Sequence, residues 1–334
     1  VGTPIIYYSP EIHGYKMTFK SGSIQYQRTC LINNKKLWRY KSVLHEYIYC
    51  LDTNQQIGLV SGDYWLVSGR SGARSQDPNK YLKDALMLET AYNDEKKING
   101  ELIGRYSFYC ANSYKDANNI LKSIEWYKIN LKEEKSGWMQ EKYVSCLELY
   151  KQLSKINQQD EGFAYLIESY KYDKERVECI YELIKHYCCK EINEIAMAFF
   201  SLVNLEININ VSDKLFIDEN ISKFYLPYYM IIVADRLKNR QIGIAMYKKI
   251  FLSKSNVFAE WFLNNLFINF QFFIDHIPEN EKENISILAN DYIKFLFNNG
   301  VQLNKFDVLK KYSNLILIDY IFPEITQDTR QKCI

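Results

Sequence analysis

Several side chains in the first eighty residues have the makings of chemistry. Arg70 and Arg74 lie on a glycine-containing loop, Ser68-Gly69-Arg70-Ser71-Gly72-Ala73-Arg74, and Lys80 follows just after Asp77-Pro78. Asp77 is a good N-cap and Pro78 suits the first helical position, so a helix is expected to begin there. A helix N-terminus carries free N–H groups and partial positive charge. Two arginines beside it would hold a diphosphate through paired hydrogen bonds. Against that stands a plainer reading, in which Arg70, Arg74 and Lys80 are solvated charges and Asp77 only a cap. His45 and Glu46 set an imidazole beside a carboxylate in the β-leaning run Val43–Tyr49. On a regular strand neighbouring side chains point to opposite faces, so these two share a cavity only at a bulge. Taken by its spacing alone, His45 reads as a strand histidine satisfied by hydrogen bonds. Trp38 offers a flat face for a sugar or base, and equally a buried anchor for a sheet.

The remaining histidines, His13, His186 and His276, have no ligand-spaced partners. His186 stands close to Cys188 and Cys189, but those offsets do not share one helix face. The eight cysteines (30, 50, 110, 146, 179, 188, 189, 333) form no Cys-x-x-Cys pair, which removes the usual zinc spacing. A disulfide framework belongs to short secreted chains, so reduced thiols in a cytoplasmic setting are expected.

The elements that must position these residues belong to a chain of 334 residues, long enough for two domains or one large one. With 42 Lys+Arg against 40 Asp+Glu the net charge is +2, which is no footprint for a nucleic-acid binder. Hydrophobic residues make up 47%, ample for a packed core. Scarce glycine and proline favour helices over a turn-rich β fold. The abundance of Tyr, Phe, Asn, Lys and Ile is that of an AT-rich coding sequence and says nothing of function. No stretch is apolar enough to span a membrane: Trp261–Ile274 holds three Asn and one Gln and reads as a buried helix. The first residues show no basic n-region followed by an apolar run, so no signal peptide is expected.

Residues 1–76 hold just over half the glycines and the β-leaning runs Lys16–Phe19, Ser23–Ile32, Val43–Tyr49, Ile57–Val60 and Tyr64–Val67. Gly62-Asp63 between the last two reads as a hairpin turn. From residue 77 on the period is helical. Tyr106, Tyr109, Cys110 and Tyr114 line one face, and Tyr143, Cys146, Leu147 and Tyr150 repeat it 36 or 37 residues later. Partner helices follow at Ile120–Tyr127 and Phe163–Tyr170. A third pair spans Val177–Cys188 and Ile192–Phe199, and a fourth lies near 225–251. A spacing of about 34 to 38 residues per hairpin is that of tetratricopeptide-like arrays. The aromatic stripe Tyr106, Tyr109, Tyr114, Trp126 and Tyr127 reads as packing between repeats. The stretch 204–218 reads as a polar, extended linker, and capping helices close the chain. The class is therefore α+β, mostly α. Its expected divisions are a β-rich segment (1–76), helical repeats (77–203) and further hairpins with capping helices (204–334).

Two runs carry a resemblance. Trp38-Arg39-Tyr40-Lys41-Ser42-Val43-Leu44-His45-Glu46-Tyr47 is similar to the WRY-x-G-x-x-HE-Y strand of family 2 glycosyltransferases of the GT-A type, with Ser42 where the pattern has Gly. Ser68–Tyr81 resembles the GR-x-G-x-R-x-x-DP-x-KY segment that closes such domains. The helical tail of this subfamily, known from bacteria and large DNA viruses, opens with a stretch similar to Arg105–Asp116 and ends in Glu125-Trp126-Tyr127. The likeness covers roughly residues 16–200. The nucleotide-binding half with its Asp-x-Asp motif does not precede these runs. That and the start at Val1 lead to the expectation of a fragment or a decayed gene.

The resemblance implies transfer of a sugar from a nucleotide-sugar donor to a hydroxyl acceptor, glycan or protein, with Mn²⁺ or Mg²⁺. Such a transfer needs a cation for the leaving diphosphate, positive charge on its oxygens and a carboxylate base. It implies metal ligation for His45, beside which stand the roles read from the residues themselves: diphosphate binding for Arg70, Arg74 and Lys80, and donor or acceptor contact for Trp38. Glu46 is the carboxylate of the run, for catalysis or for acceptor binding. The helical repeats would hold the acceptor, a protein partner or a second subunit, in the cytoplasm of a cell or host or in a virion. The rival expectation is a non-catalytic repeat module, or a structural virion or assembly protein derived from such an enzyme.

Overall fold

The computed structural model describes residues 2–7, 9–52, 54–67, 76–134, 137–204 and 214–302. The chain is mostly helical, with a small sheet region at its N-terminal end. It divides into two compact units: residues 1–179 with 205–218, and residues 180–204 with 219–334.

In the first unit, β1 (Gly14–Ser21) and β2 (Ile24–Ile32) form an antiparallel hairpin closed at Gly22, whose φ of 61° suits glycine. β5 (Ile57–Leu59) and β6 (Leu66–Val67) both run parallel to β1 on one edge, opposite Gly14–Lys16 and Phe19–Lys20. The expected hairpin at Gly62-Asp63 is therefore corrected. Two strands that run the same way along one neighbour are joined by an excursion rather than a tight turn. That excursion is bridged to the chain's start at Gly2–Tyr64 and Ile5–Ser61. Gly62 has a φ of 105°, and a Cβ there would sit 2.4 Å from the Thr3 carbonyl oxygen. β3 (Trp38–Lys41) and β4 (Tyr47–Cys50) form a separate hairpin. The sheet core is small: Tyr15, Val60 and Tyr64, with Ile12, Met17 and Leu31 packed around them.

The expected polar linker is likewise corrected at its end. Leu215 and Ile217 are buried, and β7 (Ile217–Asp218) adds antiparallel to the outer edge of β2. The Leu215 carbonyl accepts a hydrogen bond of 2.7 Å from buried Arg176. Residues 205–213 lie outside the described residues.

Helices α1 (Lys80–Lys97), α2 (Ile103–Asp116), α3 (Ile120–Lys132), α4 (Met139–Lys155) and α5 (Gln159–Tyr172) follow in the first unit. The start expected at Asp77-Pro78 moves to Lys80. Asp77 still serves the entry, its carboxylate accepting the Asn79 N–H at 2.9 Å and the Lys83 ammonium at 2.7 Å. The stripe Tyr106, Tyr109, Tyr114, Trp126 and Tyr127 is buried. α6 (Glu178–Cys189) leads from the first unit into the second, which holds α7 (Asn193–Phe200), α8 (Leu226–Arg236), α9 (Arg240–Ser253), α10 (Glu260–Ile274) and α11 (Glu279–Asn298). The hairpins α2–α3, α4–α5, α6–α7 and α8–α9 fall where the periodicity puts them. Among the described residues no helix is long and apolar enough to cross a membrane.

One turn recurs. After α1, α2, α4, α6 and α8 the chain takes a single left-handed residue: Asn99, Asn118, Asn157, Glu191 and Lys238, with φ between 51° and 61°. In each the following N–H reaches the carbonyl five residues back, as in Asn119 to Tyr114 at 2.9 Å and Asn239 to Ala234 at 2.8 Å. The left-handed residue's own N–H reaches the carbonyl three back, which is the Schellman arrangement. Asn119 and Asn239 then cap the next helix, each side chain accepting a backbone N–H of its first turn.

Candidate functional site

The run Ser42–Glu46 is the loop between β3 and β4, not part of one strand. Ser42 has a φ of 86° and His45 of 53°, which breaks strand alternation at both ends. The expectation of a strand histidine with Glu46 on the opposite face is thus corrected. Ser42 Oγ donates to the Leu44 carbonyl at 2.5 Å, and Leu44 is buried beneath the loop. The position where the family pattern has Gly is one where the backbone is left-handed, so Ser42 bears a strain that glycine would not.

The loop rests on the start of α2. His45 stacks on Tyr109, with ring centroids 4.1 Å apart and planes 13° from parallel. The Arg105 guanidinium donates to the His45 carbonyl at 2.6 Å. It lies 4.9 Å from the Tyr47 ring centre and 4.8 Å from that of Tyr109, a double cation–π contact. Its Nη1 is 3.5 Å from Oε1 of Glu141, which is 2% exposed, and its buried Nε has no hydrogen-bond partner. Lys41 on β3 pairs with Glu101 just before α2. Burial pushes the Glu141 carboxyl up to about 7, and the Arg105 charge only partly counters it. Burial also raises the phenols of Tyr109 and Tyr47. A carboxyl that titrates near neutrality beside a guanidinium is suited to taking up or releasing a proton.

Of the residues singled out in the sequence, His45 belongs to this cluster. Glu46 is exposed on the same loop. Trp38 donates its indole N–H to the Asn33 carbonyl at 3.0 Å, and its ring would lie 3.0 Å from a Cβ at Gly14. Trp38 therefore anchors the hairpin against β1. Lys80 places its ammonium 4.9 Å from the Tyr81 ring centre on α1. Arg70 and Arg74 lie outside the described residues. Arg105, Tyr109 and Glu141 were not singled out for chemistry. The signal for Glu141 was the repeat itself, because it follows Arg105 by 36 residues, one hairpin on.

A hard cation such as Mn²⁺ or Mg²⁺ seeks several oxygen ligands. Among the described residues His45 belongs to no group of three potential metal ligands. The group that does exist is His13, Cys50 and Asp52, whose ligand atoms all lie within 4.8 Å of one another. The expectation that His13 lacks ligand-spaced partners is corrected: its neighbours Cys50 and Asp52 come from a distant stretch of chain, where sequence spacing carries no signal.

Comparisons with family models, with curated proteins and with solved structures find no match to this chain.

Proposed function

We propose that these residues are the acceptor-side end of a glycosyltransferase domain similar to family 2, joined to tetratricopeptide-like helical repeats. The protein would transfer a sugar from a nucleotide-sugar donor to a hydroxyl acceptor. One observation carries the reading: two runs quoted for the resemblance, Trp38–Tyr47 and Arg105–Asp116, meet in one cluster through His45, Tyr47, Arg105 and Tyr109. The left-handed backbone at Ser42, where the pattern has glycine, supports it further. In this reading His45 would give one ligand to a Mn²⁺ or Mg²⁺ ion, and such an ion would supply charge neutralisation for the leaving diphosphate. Arg105 holds the loop by its carbonyl and so sets where the His45 ring stands. Glu141, buried and near neutral pKa, positions Arg105 and sets its charge balance.

The test is thermal unfolding of the chain with UDP or GDP, each with and without Mn²⁺. A ligand that binds only the folded chain at 100 times its Kd stabilises it by about 2.7 kcal/mol. The reading expects a rise in Tm with nucleotide and Mn²⁺ together, lost in His45→Ala. No rise with either nucleotide overturns it for this chain. The second reading, a repeat module that binds a protein partner, then stands. It is favoured by the same Schellman turn recurring after five helices.

A further inference from the structure

We propose that His13, Cys50 and Asp52 form a binding site for a zinc ion that ties the start of β1 to the end of β4. The proposal is independent of the glycosyl-transfer reading, because it involves neither His45 nor a nucleotide.

His13 immediately precedes β1, Cys50 is the last residue of β4, and Asp52 lies two residues beyond it. His13 and Cys50 are buried, while the Asp52 side chain is 37% exposed, so an ion has a way in from the Asp52 side. His13 Nε2 is 3.3 Å from Asp52 Oδ2. Two ligands on one tetrahedral ion, each about 2.0–2.1 Å from it, stand about 3.3 Å apart. Those two atoms thus already have the separation a shared ion requires. Cys50 Sγ, within 4.8 Å of both, has at most about 1 Å to close, since a sulfur bound at about 2.3 Å stands about 3.6 Å from its co-ligands.

The backbone around His13 prepares the imidazole for either state. Its N–H donates to the Gln56 carbonyl and its C=O accepts from Asn33, both at 2.8 Å, which fixes the residue between two strands of chain. Its Nδ1 has two neighbours of opposite kind, the Gln56 N–H at 3.2 Å and the Glu11 carbonyl at 3.1 Å. When Nε2 carries the proton, it donates to Asp52 and Nδ1 accepts from Gln56. When Nε2 binds a metal, Nδ1 carries the proton and donates to Glu11, the outer-shell carbonyl that metal-bound imidazoles commonly use.

The donor set selects the ion. A thiolate with an imidazole and a carboxylate suits Zn²⁺ or Co²⁺ and disfavours Mg²⁺ and Mn²⁺, which take oxygen shells. Three protein ligands leave the fourth position to water. Lys36, with its ammonium 2.9 Å from Asp52 Oδ2, occupies the carboxylate when no ion is bound and competes with it. Binding releases the Cys50 thiol proton and displaces Lys36 from Oδ2. The site also answers a local need. Among the described residues the sheet-core cluster buries Tyr15, Val60 and Tyr64, and a metal that binds the folded form adds its binding free energy to folding.

The experiment is titration of the full chain, reduced and freed of metal with a chelator, with Co²⁺ and then Zn²⁺. One Co²⁺ per chain is expected, with a thiolate-to-cobalt charge-transfer band that Zn²⁺ bleaches. Cys50→Ser is expected to remove the band. His13→Gln and Asp52→Asn should weaken Co²⁺ binding by more than about 100-fold, beyond what loss of an outer-shell partner costs. Lys36→Met removes the competing ammonium and should tighten binding several-fold. Circular dichroism and tryptophan fluorescence matching the unsubstituted chain show that each variant is folded. The absence of a band at stoichiometric Co²⁺, or a band that survives in Cys50→Ser, overturns the proposal. Looser binding in Lys36→Met overturns the competition.

Discussion

At the residue scale the surroundings alter Glu141 most tellingly. Its carboxyl is at about 7 in the folded chain because it is buried, against an ordinary value of 4.5. The folded chain therefore holds a proton that the unfolded chain gives up between about pH 4.5 and 7. Stability from this group is fully present below pH 4.5 and falls as pH rises through 7, by about 3 kcal/mol in all. Asp52, Asp77, Asp173 and Glu148 are shifted downward, so their opposite slopes fall in more acid solution. Urea unfolding at pH 5 and pH 8 should show the chain less stable at pH 8, and Glu141→Gln should flatten that difference. An equal difference in the variant would show that another group carries it. None of this was legible at position 141 itself, since a helical glutamate is ordinary until its neighbours are known. The buried tyrosines were legible because apolar area decides their place, whereas Trp38 stayed open between ligand contact and sheet anchor. His45 was legible as a residue to watch but not in its setting, because the left-handed Ser42 and His45 turn the strand into a loop.

Among the elements, three helices of the first unit are pinned by one neutral side chain. Asn130 on α3 is fully buried. It donates to the Gly104 carbonyl of α2 at 2.9 Å and to Ser107 at 3.2 Å, and accepts from Ser145 of α4 at 2.8 Å. Asn130→Ala would strand the Ser145 hydroxyl without its acceptor and open a cavity. Leaving a buried polar group unpaired costs about 1–3 kcal/mol, with the cavity in addition. A loss of about 2–4 kcal/mol in denaturant unfolding is expected, with the helix content of the native baseline unchanged. A loss below 1 kcal/mol would mean that water replaces the amide. The helices themselves were readable, since apolar spacing reports helix phase and the Tyr106 and Tyr143 faces repeat. Strand pairing was not. Gly62-Asp63 has the composition of a hairpin turn, but local composition does not say whether the flanking strands pair with each other. Both pair with β1 instead.

Over the whole molecule the sheet and the first helices share one compact unit, to which residues 214–218 return. Two apolar residues, Leu215 and Ile217, make that return, too few to mark it in composition. What was legible chain-wide is the succession of helices, several of which end in the same left-handed turn, after α1, α2, α4, α6 and α8. Three of the five positions hold Asn, which tolerates this backbone, whereas Glu191 and Lys238 have a Cβ and no such compensation. Their ion pairs, Glu191 with Arg236 at 3.7 Å and Lys238 with Asp235 at 4.0 Å, are exposed on at least one side and contribute little. Glycine relieves the backbone strain, although it also loses more freedom on folding. Glu191→Gly and Lys238→Gly should each raise stability by about 0.5–1 kcal/mol, and the double variant reads their coupling, because Arg236 in the last turn of α8 reaches both Glu191 and the Cys188 carbonyl of the other turn. Asn157→Gly should gain less, and Lys238→Ala nothing, because alanine keeps the Cβ. Thermal and denaturant unfolding of the four single variants and the double one test this ordering. If Lys238→Ala gains as much as Lys238→Gly, the lysine side chain and not the left-handed backbone is what the turn resists.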